Sequence, residues 1–289
     1  MTRAIMLTRL RTYASFIRFS HSVFALPFAL AGTLLAAQHA AVTWTAIAWI
    51  LVAMVAARSA AMGFNRLADA RHDAMNPRTA NRELPRGAMT RSEAAAFVAV
   101  SSGVFMFAAW RLSPLCLLLS PVALAIAFWY SLAKRYTTWT QLFLGLAMAV
   151  APVGGWLAGG GRGGWEPWLL ALAIGMWVGG FDVLYACQDL EFDRAHGLRS
   201  IPTRFGVASS LAISRAMHVI AVACLAGLAL VTPLGTIYLA GVAAVAVLLI
   251  YEQSLVRADD LSQVKRAFDL NGYVGILYLL VLAAAIYVR

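Results

Sequence analysis

Hydrophobic residues fill most of the chain in long runs, and short polar segments separate these runs. We distinguish nine of them, at 21–38, 44–63, 93–111, 114–133, 141–160, 167–187, 209–231, 234–251 and 270–288. Each is close to the ~20 apolar residues that an α-helix needs to cross a bilayer. No separate polar linker interrupts them. The pattern predicts an all-α, polytopic membrane protein with nine transmembrane helices in a single integral-membrane domain, residues 1–289.

Composition agrees with this prediction and argues against a soluble protein. The chain is 62% hydrophobic and only 12% charged, whereas soluble domains have about 25% charged residues. Its net charge of +10 is concentrated before the first run and after the even-numbered runs. By the positive-inside rule, this places the N-terminus and the even-numbered connections in the cytoplasm and the C-terminus outside the plasma (inner) membrane. The positive charge is explained by topology and by the lipid bilayer, so no nucleic-acid partner is expected.

Two pairs of aspartates stand out in a chain with few acids. Asp69 and Asp73 follow the second run, and Asp189 and Asp193 follow the sixth. In a helix, residues four apart lie on the same face, so the two carboxylates of each pair repel unless a cation lies between them. Mg²⁺ is the natural candidate, because it prefers carboxylate oxygens and leaves room for a substrate phosphate. The pairs therefore predict a metal-assisted phosphate site.

The two connections that carry the pairs are similar in sequence. Polar positions at 65, 69 and 73, and at 185, 189 and 193, each form one helical stripe. We expect the stripes to continue the second and sixth helices beyond the membrane and to face each other across a shared cavity. Arginines that could bind a diphosphate follow both stripes, and the neighbouring amides could contact a metal-bound water or phosphate. These candidates are Arg78, Arg82, Arg194 and Arg199, with Lys134, Arg135, Asn65, Gln188 and Asn271.

Both segments resemble the aspartate-rich motifs of the UbiA superfamily of intramembrane prenyltransferases. The stretch 65–79, NRLADARHDAMNPRT, is similar to the first motif, and 185–193, YACQDLEFD, is similar to the second. The segment 18–27, RFSHSVFALP, the residues around Tyr130, and Phe268 with Asn271 extend the resemblance over nearly the whole chain. The chain departs from many relatives at Arg66, where an aspartate often follows the asparagine. Gln188 before Asp189 resembles members of quinone pathways.

The resemblance implies a helical bundle around a central cavity with a cytoplasmic cap. It implies that Asp69, Asp73, Asp189 and Asp193, with Asn65, bind Mg²⁺ and through it a polyprenyl diphosphate. Mg²⁺ and arginines would neutralise the leaving diphosphate, and a dry cavity would protect the allylic cation. The aromatic residues that could line such a cavity are Phe24, Phe128, Tyr130, Trp156 and Tyr185. An electron-rich aromatic ring would then attack the cation.

The acceptor implied by the resemblance is an aromatic hydroxy acid of quinone biosynthesis. Two acceptors fit: 4-hydroxybenzoate in the ubiquinone pathway, and a dihydroxynaphthoate in the futalosine-type menaquinone pathway. The segment 18–27 and the extension 76–79, NPRT, resemble members of quinone pathways in general. By resemblance alone, the second acceptor is slightly favoured. A cationic patch such as Arg18, Lys134 or Arg135 would suit either carboxylate. A further arginine, Arg58, lies inside the second run and either reaches the membrane surface or points into the cavity.

Two other functions are weighed against prenyl transfer. A CDP-alcohol phosphotransferase also uses aspartates and metal at the membrane surface, but the Asp-Gly and Ala-Arg elements of that family are missing from these segments. A secondary transporter would hold its acids near the middle of the bilayer, whereas these lie at the ends of the apolar runs. Mg²⁺-dependent release of diphosphate would separate a prenyltransferase from both.

Overall fold

The described structure consists of helices and connecting turns. It is a computed structural model that describes residues 12–13, 15–17 and 25–288. We number the helices α1 Leu26–Ala36, α2 Trp44–Met75, α3 Arg91–Leu112, α4 Pro114–Ala133, α5 Thr140–Ala158, α6 Glu166–Ala186, α7 Leu190–Ala195, α8 Ile201–Val231, α9 Gly235–Ser254 and α10 Val264–Tyr287. A single 3₁₀ turn, Cys187–Asp189, separates α6 from α7.

The predicted all-helical, membrane-spanning class is confirmed. Eight helical segments among the described residues are long and apolar enough to cross a membrane, and the first apolar run is represented by the shorter helix α1. Part of that first run, 21–24, lies outside the described residues. Nine of the ten described helices correspond to the nine apolar runs, with α2 and α8 longer than their runs, at 32 and 31 residues. The short helix α7 lies between the sixth and seventh runs. The chain is an integral membrane protein. Its predicted single domain and its orientation in the membrane stay predictions.

The chain divides into two compact units, which we describe separately. Unit 1 contains Met1–Val23 and Ala48–Leu132, and unit 2 contains Phe24–Ile47 and Ala133–Arg289. Most of α2 and all of α3 belong to unit 1, as does α4 up to Leu132. Helices α1 and α5 to α10 belong to unit 2. The first acidic pair therefore lies in unit 1 and the second in unit 2.

In unit 1, a small hydrophobic cluster holds the connection between α2 and α3 against the membrane helices. Phe16 and Met89 are buried there with Ala94, and Phe16 makes an edge-to-face contact with Phe97 at 5.9 Å between ring centroids. A capping box begins α3: the Thr90 side chain accepts from the Glu93 N–H, and the Glu93 carboxylate accepts from the Thr90 N–H. This arrangement satisfies two backbone donors and sets where the connection ends and the helix begins.

Unit 2 is built on close helix crossings at glycine. A Cβ at Gly155 of α5 would collide with the Ala29 carbonyl of α1, and one at Gly145 would collide with the Gly175 carbonyl of α6. Small residues at such crossings let helix backbones approach closely, which is the main source of packing between helices in lipid. The resulting stack of α1, α5, α6 and α8 carries the second acidic segment at one end.

Helix α8 begins beside that segment with a cap and a kink. The Ser200 side chain accepts from the Thr203 N–H, and Thr203 in turn accepts from the Ser200 N–H. Gly206 then interrupts the helix with φ 77°, a conformation that is open to glycine but strained for other residues. The cap and the kink together let the first turn of α8 leave the axis of the spanning part.

Candidate active site

The first acidic segment forms the end of the continuous helix α2, as the sequence predicted. Asp69 and Asp73 are buried, at 4% and 6% exposure, and Asn65 lies one turn earlier on the same face. The Asn65 side-chain amide donates to an Asp69 carboxylate oxygen at 3.4 Å. Two carboxylates and one amide carbonyl oxygen therefore share a stripe at this end of the helix.

The turn after α2 folds an arginine back onto the second aspartate. Arg82 Nη1 donates to both carboxylate oxygens of Asp73, at 2.7 and 2.8 Å. Asn76 starts the turn by accepting from the Arg78 N–H at 2.9 Å, and the Thr79 hydroxyl donates to the Asp73 carbonyl at 3.0 Å. Asparagine is favoured at such turns because its side chain mimics a backbone acceptor. Arg82 thus neutralises one carboxylate of this segment, and Arg78 is exposed.

The second acidic segment differs from the predicted helical stripe. Helix α6 ends at Ala186, the chain tightens into the 3₁₀ turn Cys187–Asp189, and α7 then carries Asp193. A 3₁₀ turn rotates the chain by about 120° per residue instead of about 100°. The prediction of one unbroken α-helical stripe through 185, 189 and 193 was therefore wrong. Asp189 and Asp193 are half-buried, whereas Gln188 and Arg194 are exposed.

A hydrogen-bonded loop brings the predicted basic residues to this second segment. The Arg199 N–H donates to the Lys134 carbonyl at 2.7 Å, and Arg199 Nη1 donates to the Tyr136 carbonyl at 2.7 Å. Lys134 and Arg135 are therefore held next to the chain that follows Asp193. Arg199, predicted to contact phosphate, here uses its guanidinium to anchor the neighbouring loop.

Asp182 is a half-buried acid that was not among the predicted site residues. It lies on α6 seven residues before Asp189 and interacts electrostatically with both Asp189 and Lys134. Seven residues are about two helical turns, so this spacing was a signal that could have identified it. Asp182 therefore places a further carboxyl group on the membrane-interior side of the second segment, near Lys134.

Asn271 and Trp156, predicted to face a ligand, contact other side chains and backbone of the helix core in this structure. Asn271 is fully buried, its side-chain oxygen accepts from Trp177 Nε1 at 2.6 Å, and its amide nitrogen donates to the Ala267 carbonyl at 3.1 Å. These bonds engage both ends of the amide within the helix core, so it is not presented to a ligand in this conformation. Trp156 is 2% exposed and packs edge-on against His39. Arg18 and Phe24 lie outside the described residues.

Arg58 is a cation inside the membrane-spanning part of α2, within unit 1. It lies on α2 seven residues before Asn65, hence on the same face and about 10 Å further into the span. Its side chain is half-buried, and its Nε atom has no hydrogen-bond partner among the described residues. It interacts electrostatically with Tyr130 of α4. A cation inside a membrane span is costly without a partner or a function.

The carboxylates of the two segments fit Mg²⁺ that is shared with a substrate. Within the described residues, no group of three or more His, Cys, Asp or Glu side chains surrounds a common point. This excludes a closed four-ligand zinc site there. Mg²⁺ instead commonly takes one or two carboxylates and completes its shell with water and substrate phosphate. Asp69 and Asp73 in unit 1, and Asp189 and Asp193 in unit 2, each supply such a pair.

Comparison with known proteins defines the class of the chain. The sequence profile described as the UbiA prenyltransferase family matches residues 25–284. The chain is 32% identical over 235 residues to a 4-hydroxybenzoate octaprenyltransferase of Vibrio parahaemolyticus, covering 81% of this chain and 82% of that one. It is 33% identical to the protein of the same name from Citrobacter koseri, covering 81% and 82%.

Solved structures show the same fold. A UbiA homologue from Aeropyrum pernix superposes with a TM-score of 0.83 at 38% identity, over 93% of this chain and 98% of that one. A UbiA homologue from Archaeoglobus fulgidus, bound to GPP and Mg²⁺, has a TM-score of 0.72 at 18% identity over 95% and 99%. At 18% identity, the similarity to the second structure shows only that the fold is shared.

The fold and the family together define an intramembrane transferase of prenyl groups. The chain belongs to the UbiA prenyltransferase family, and the predicted enzyme class is confirmed by relatives that are aromatic polyprenyltransferases. The alternatives of a secondary transporter and of a CDP-alcohol phosphotransferase are set aside by this membership.

Proposed function

We propose that the protein transfers a polyprenyl group from a polyprenyl diphosphate to an aromatic hydroxy acid in a Mg²⁺-dependent reaction of quinone biosynthesis. The observation that carries the proposal is the pair of buried aspartates on α2, with an asparagine on the same face and an arginine on one of the carboxylates. Such a stripe has the ligands for a metal and a cation for phosphate at the end of a membrane span.

The aspartates would hold the metal, and through it the diphosphate. In unit 1 these are Asp69 and Asp73, with the Asn65 carbonyl oxygen as a further ligand, and in unit 2 they are Asp189 and Asp193. When bound, Mg²⁺ supplies positive charge to the diphosphate oxygens as the allylic C–O bond breaks. Asp69 and Asp73 are buried, so they are already desolvated and ordered before substrate arrives.

The basic residues would stabilise the same leaving group. Lys134 and Arg135 are held next to the second segment by the hydrogen bonds from Arg199. Arg82 is already oriented on Asp73, while Arg78 and Arg194 are exposed on the side from which a phosphate would enter from solvent. A guanidinium suits this task because its planar donors match phosphate oxygens. These residues would stabilise the diphosphate as its charge increases on departure.

Aromatic side chains close to each segment would stabilise the prenyl cation. Tyr185 packs against Phe268 with 4.8 Å between ring centroids. In unit 1, Phe64 stacks on Phe128 at 4.4 Å, directly before Asn65. Aromatic faces attract a cation and exclude water. The acceptor ring would attack the allylic carbon, form a C–C bond and lose its ring proton.

Arg58 would bind the carboxylate of the acceptor. It shares a face of α2 with Asn65 and lies deeper in the span. An acid bound to Arg58 would therefore lie further into the membrane than the diphosphate. We expect Arg58→Met to raise the KM for the acceptor about 10–100-fold, the value of a charged hydrogen bond, with little change in the KM for the diphosphate. Arg71→Met is the matched control, because Arg71 is exposed on the same helix. Equal effects on both KM values would contradict this role.

The acceptor is best tested directly. The curated relatives are named for 4-hydroxybenzoate, whereas the sequence resemblance slightly favoured a dihydroxynaphthoate. We take 4-hydroxybenzoate as the first acceptor to test. Purified protein would be incubated with Mg²⁺, one polyprenyl diphosphate and each acid separately, and the product identified by mass spectrometry. A prenylated acid from one incubation names the acceptor, and no prenylated product from either would overturn the proposal.

We place the reaction at the cytoplasmic side of the plasma membrane. The basic residues of the chain are concentrated in the connections that carry the acidic segments, which supports this orientation by the positive-inside rule. A cysteine introduced at exposed Arg78 should react with a membrane-impermeant maleimide only after the cells are opened. Labelling of intact cells would contradict the orientation.

A further inference from the structure

A polar pocket lies in unit 2, between α8, the end of α9 and the loop that follows α9. It has a volume of about 470 Å³ and is lined by Arg215, Gln253, Ser254 and Arg257, with Leu211 and Val256 as its apolar floor. Its lining contains none of the residues assigned to the prenyl-transfer site. The two floor residues belong to a buried cluster that includes Leu184, against which Tyr185 packs.

The wall of this pocket contains a buried hydrogen-bond acceptor without a partner. His218 Nε2 lies 3.2 Å from the Trp177 carbonyl, so it must carry the proton and donate. Its Nδ1 atom is then an acceptor and receives Gln253 Nε2 at 3.0 Å. This fixes the orientation of the Gln253 amide, whose Nε2 also donates to the Ser214 hydroxyl at 2.7 Å.

The remaining atom of that amide, Gln253 Oε1, is buried and has no hydrogen-bond partner among the described residues. Gln253 itself is 8% exposed. A buried acceptor that is left unpaired destabilises the folded protein, so a ligand that donates to it removes that cost. Gln253 lines the pocket, so a ligand whose N–H or O–H group reached this oxygen would gain a hydrogen bond.

The charges at the rim require an anion as well. Arg215 and Arg257 are both exposed and line the pocket together with one acid, Asp259. The loop that carries Arg257 is ordered by reciprocal backbone hydrogen bonds with Asp260, at 3.1 and 3.2 Å. The lining thus has one more positive than negative charge. Two guanidinium groups at one rim match the oxygens of a phosphate.

Distances along the two helices favour a position of the pocket near the headgroup region of the membrane. Arg215 is about 24 Å from the far end of α8, and Ser254 is about 28 Å from the far end of α9 at 1.5 Å per residue. The hydrocarbon core is about 30 Å thick, so both residues are near its boundary. Exposed apolar side chains continue from the pocket toward the bilayer centre: Val219 one turn beyond Arg215, and Ile250 and Val247 before Ser254, at 68%, 70% and 64% exposure.

We propose that this pocket binds the headgroup of a membrane phospholipid that carries a hydrogen-bond donor. The phosphodiester lies between Arg215 and Arg257, and the headgroup ammonium or hydroxyl donates to Gln253 Oε1. The acyl chains follow the apolar stripe along α8 and α9. Phosphatidylglycerol and phosphatidylethanolamine have this chemistry, whereas phosphatidylcholine lacks the donor. The proposal is independent of the prenyl-transfer assignment.

Native mass spectrometry of the whole protein in detergent tests this proposal. Phosphatidylglycerol, phosphatidylethanolamine and phosphatidylcholine of equal chain length would be titrated separately. We expect one tightly bound lipid per chain for the first two and at least about tenfold weaker binding of phosphatidylcholine, which cannot make the buried hydrogen bond. Equal affinity for all three lipids would overturn the assignment of Gln253.

Two variants and a competitor complete the test. Arg215→Gln with Arg257→Gln should weaken lipid binding at least about tenfold, and Arg204→Gln, an exposed arginine of α8 outside the pocket, should leave it unchanged. A thermal-unfolding scan in lipid-free detergent shows whether the double variant folds. In a second scan with added phosphatidylglycerol, the Tm of the double variant should not rise. A full Tm rise in that variant would overturn the proposal. So would displacement of the lipid by millimolar inorganic phosphate, which would identify a soluble anion as the ligand.

Discussion

The two acidic segments have the same spacing between their aspartates but a different local structure. Asp69 and Asp73 lie on an unbroken helix of 32 residues, whereas a 3₁₀ turn ends at Asp189 and a separate short helix carries Asp193. The first pair is buried and the second is half-buried. A repeated spacing in a sequence therefore does not imply a repeated geometry.

The arginines of the two segments also bind different kinds of partner. Arg82 contacts the Asp73 carboxylate directly, and so balances a charge within its segment. Arg199 contacts the carbonyl of Tyr136, and so connects two loops. The first segment is held by its own helix and by the Arg82–Asp73 ion pair, while a neighbouring loop is bonded to the chain after the second segment. Substitutions should therefore affect the two segments through different steps.

The largest loss of turnover is expected from substituting the aspartates that both segments contain. Asp69→Ala and Asp189→Ala should each lower turnover by at least about 10³-fold, because each removes a carboxylate needed to hold Mg²⁺, whose charge stabilisation amounts to several kcal/mol. Turnover would be measured as diphosphate release at saturating substrate. Glu191→Ala is the control, because Glu191 is an exposed acid within the second segment. Near-normal turnover in both aspartate variants, with the proteins folded, would contradict the account.

A smaller effect should separate the two arginines. Arg82→Gln should lower kcat/KM for the diphosphate about 10–100-fold, since it removes a charged hydrogen bond worth about 1.5–3 kcal/mol. Arg199→Gln should cost about tenfold or less, because its guanidinium bonds a neutral carbonyl.

Lysine variants show which property matters at each position. Arg82→Lys should recover part of the activity by restoring the charge on Asp73. Arg199→Lys should not, if the planar guanidinium that holds the 134–136 loop is what counts. The reverse order of effects would mean that Arg199 contacts the substrate and Arg82 is only structural.

The smallest effect concerns the helix caps of the two units. Thr90→Ala and Ser200→Ala should each lower the free energy of unfolding by about 1 kcal/mol, the usual value of an N-cap. Only Ser200→Ala should also reduce turnover, because Ser200 directly follows Arg199 in the loop beside the second segment. Thr90→Ser and Ser200→Thr retain the capping oxygen and serve as controls. Equal turnover in both alanine variants would remove the link between this cap and the site.

Much of the fold could be predicted because hydrophobicity and charge act locally. Apolar runs identified the helices, and the polar positions at 65, 69 and 73 correctly predicted that α2 continues to Met75. The break at Cys187–Asp189 could not be foreseen. A 3₁₀ turn at a helix end needs no special residue, and its position depends on packing with the loops around it.

The site was less predictable, because several contacts join distant parts of the chain. Asn271 resembled a ligand contact, but its partner Trp177 is 94 positions away. Arg199 resembled a phosphate contact, but its partner Tyr136 is 63 positions away. By contrast, Arg58 and Asp182 each lie seven residues before a predicted ligand. That local signal is visible in the sequence, where two positions of the Arg58 side chain were equally compatible with the pattern and Asp182 was not a predicted site residue.

Binding of an inert substrate analogue tests the central claim most directly. Geranyl thiolodiphosphate, in which a C–S bond replaces the reactive C–O bond, would be titrated against the protein in detergent with Mg²⁺ and again with EDTA. The account predicts that Kd rises at least about 100-fold without the metal, and that Asp69→Ala and Asp189→Ala each raise it comparably in the presence of Mg²⁺. An unchanged Kd in EDTA, or tight Mg²⁺-dependent binding in both variants, would contradict the assignment of the aspartates to the metal and diphosphate.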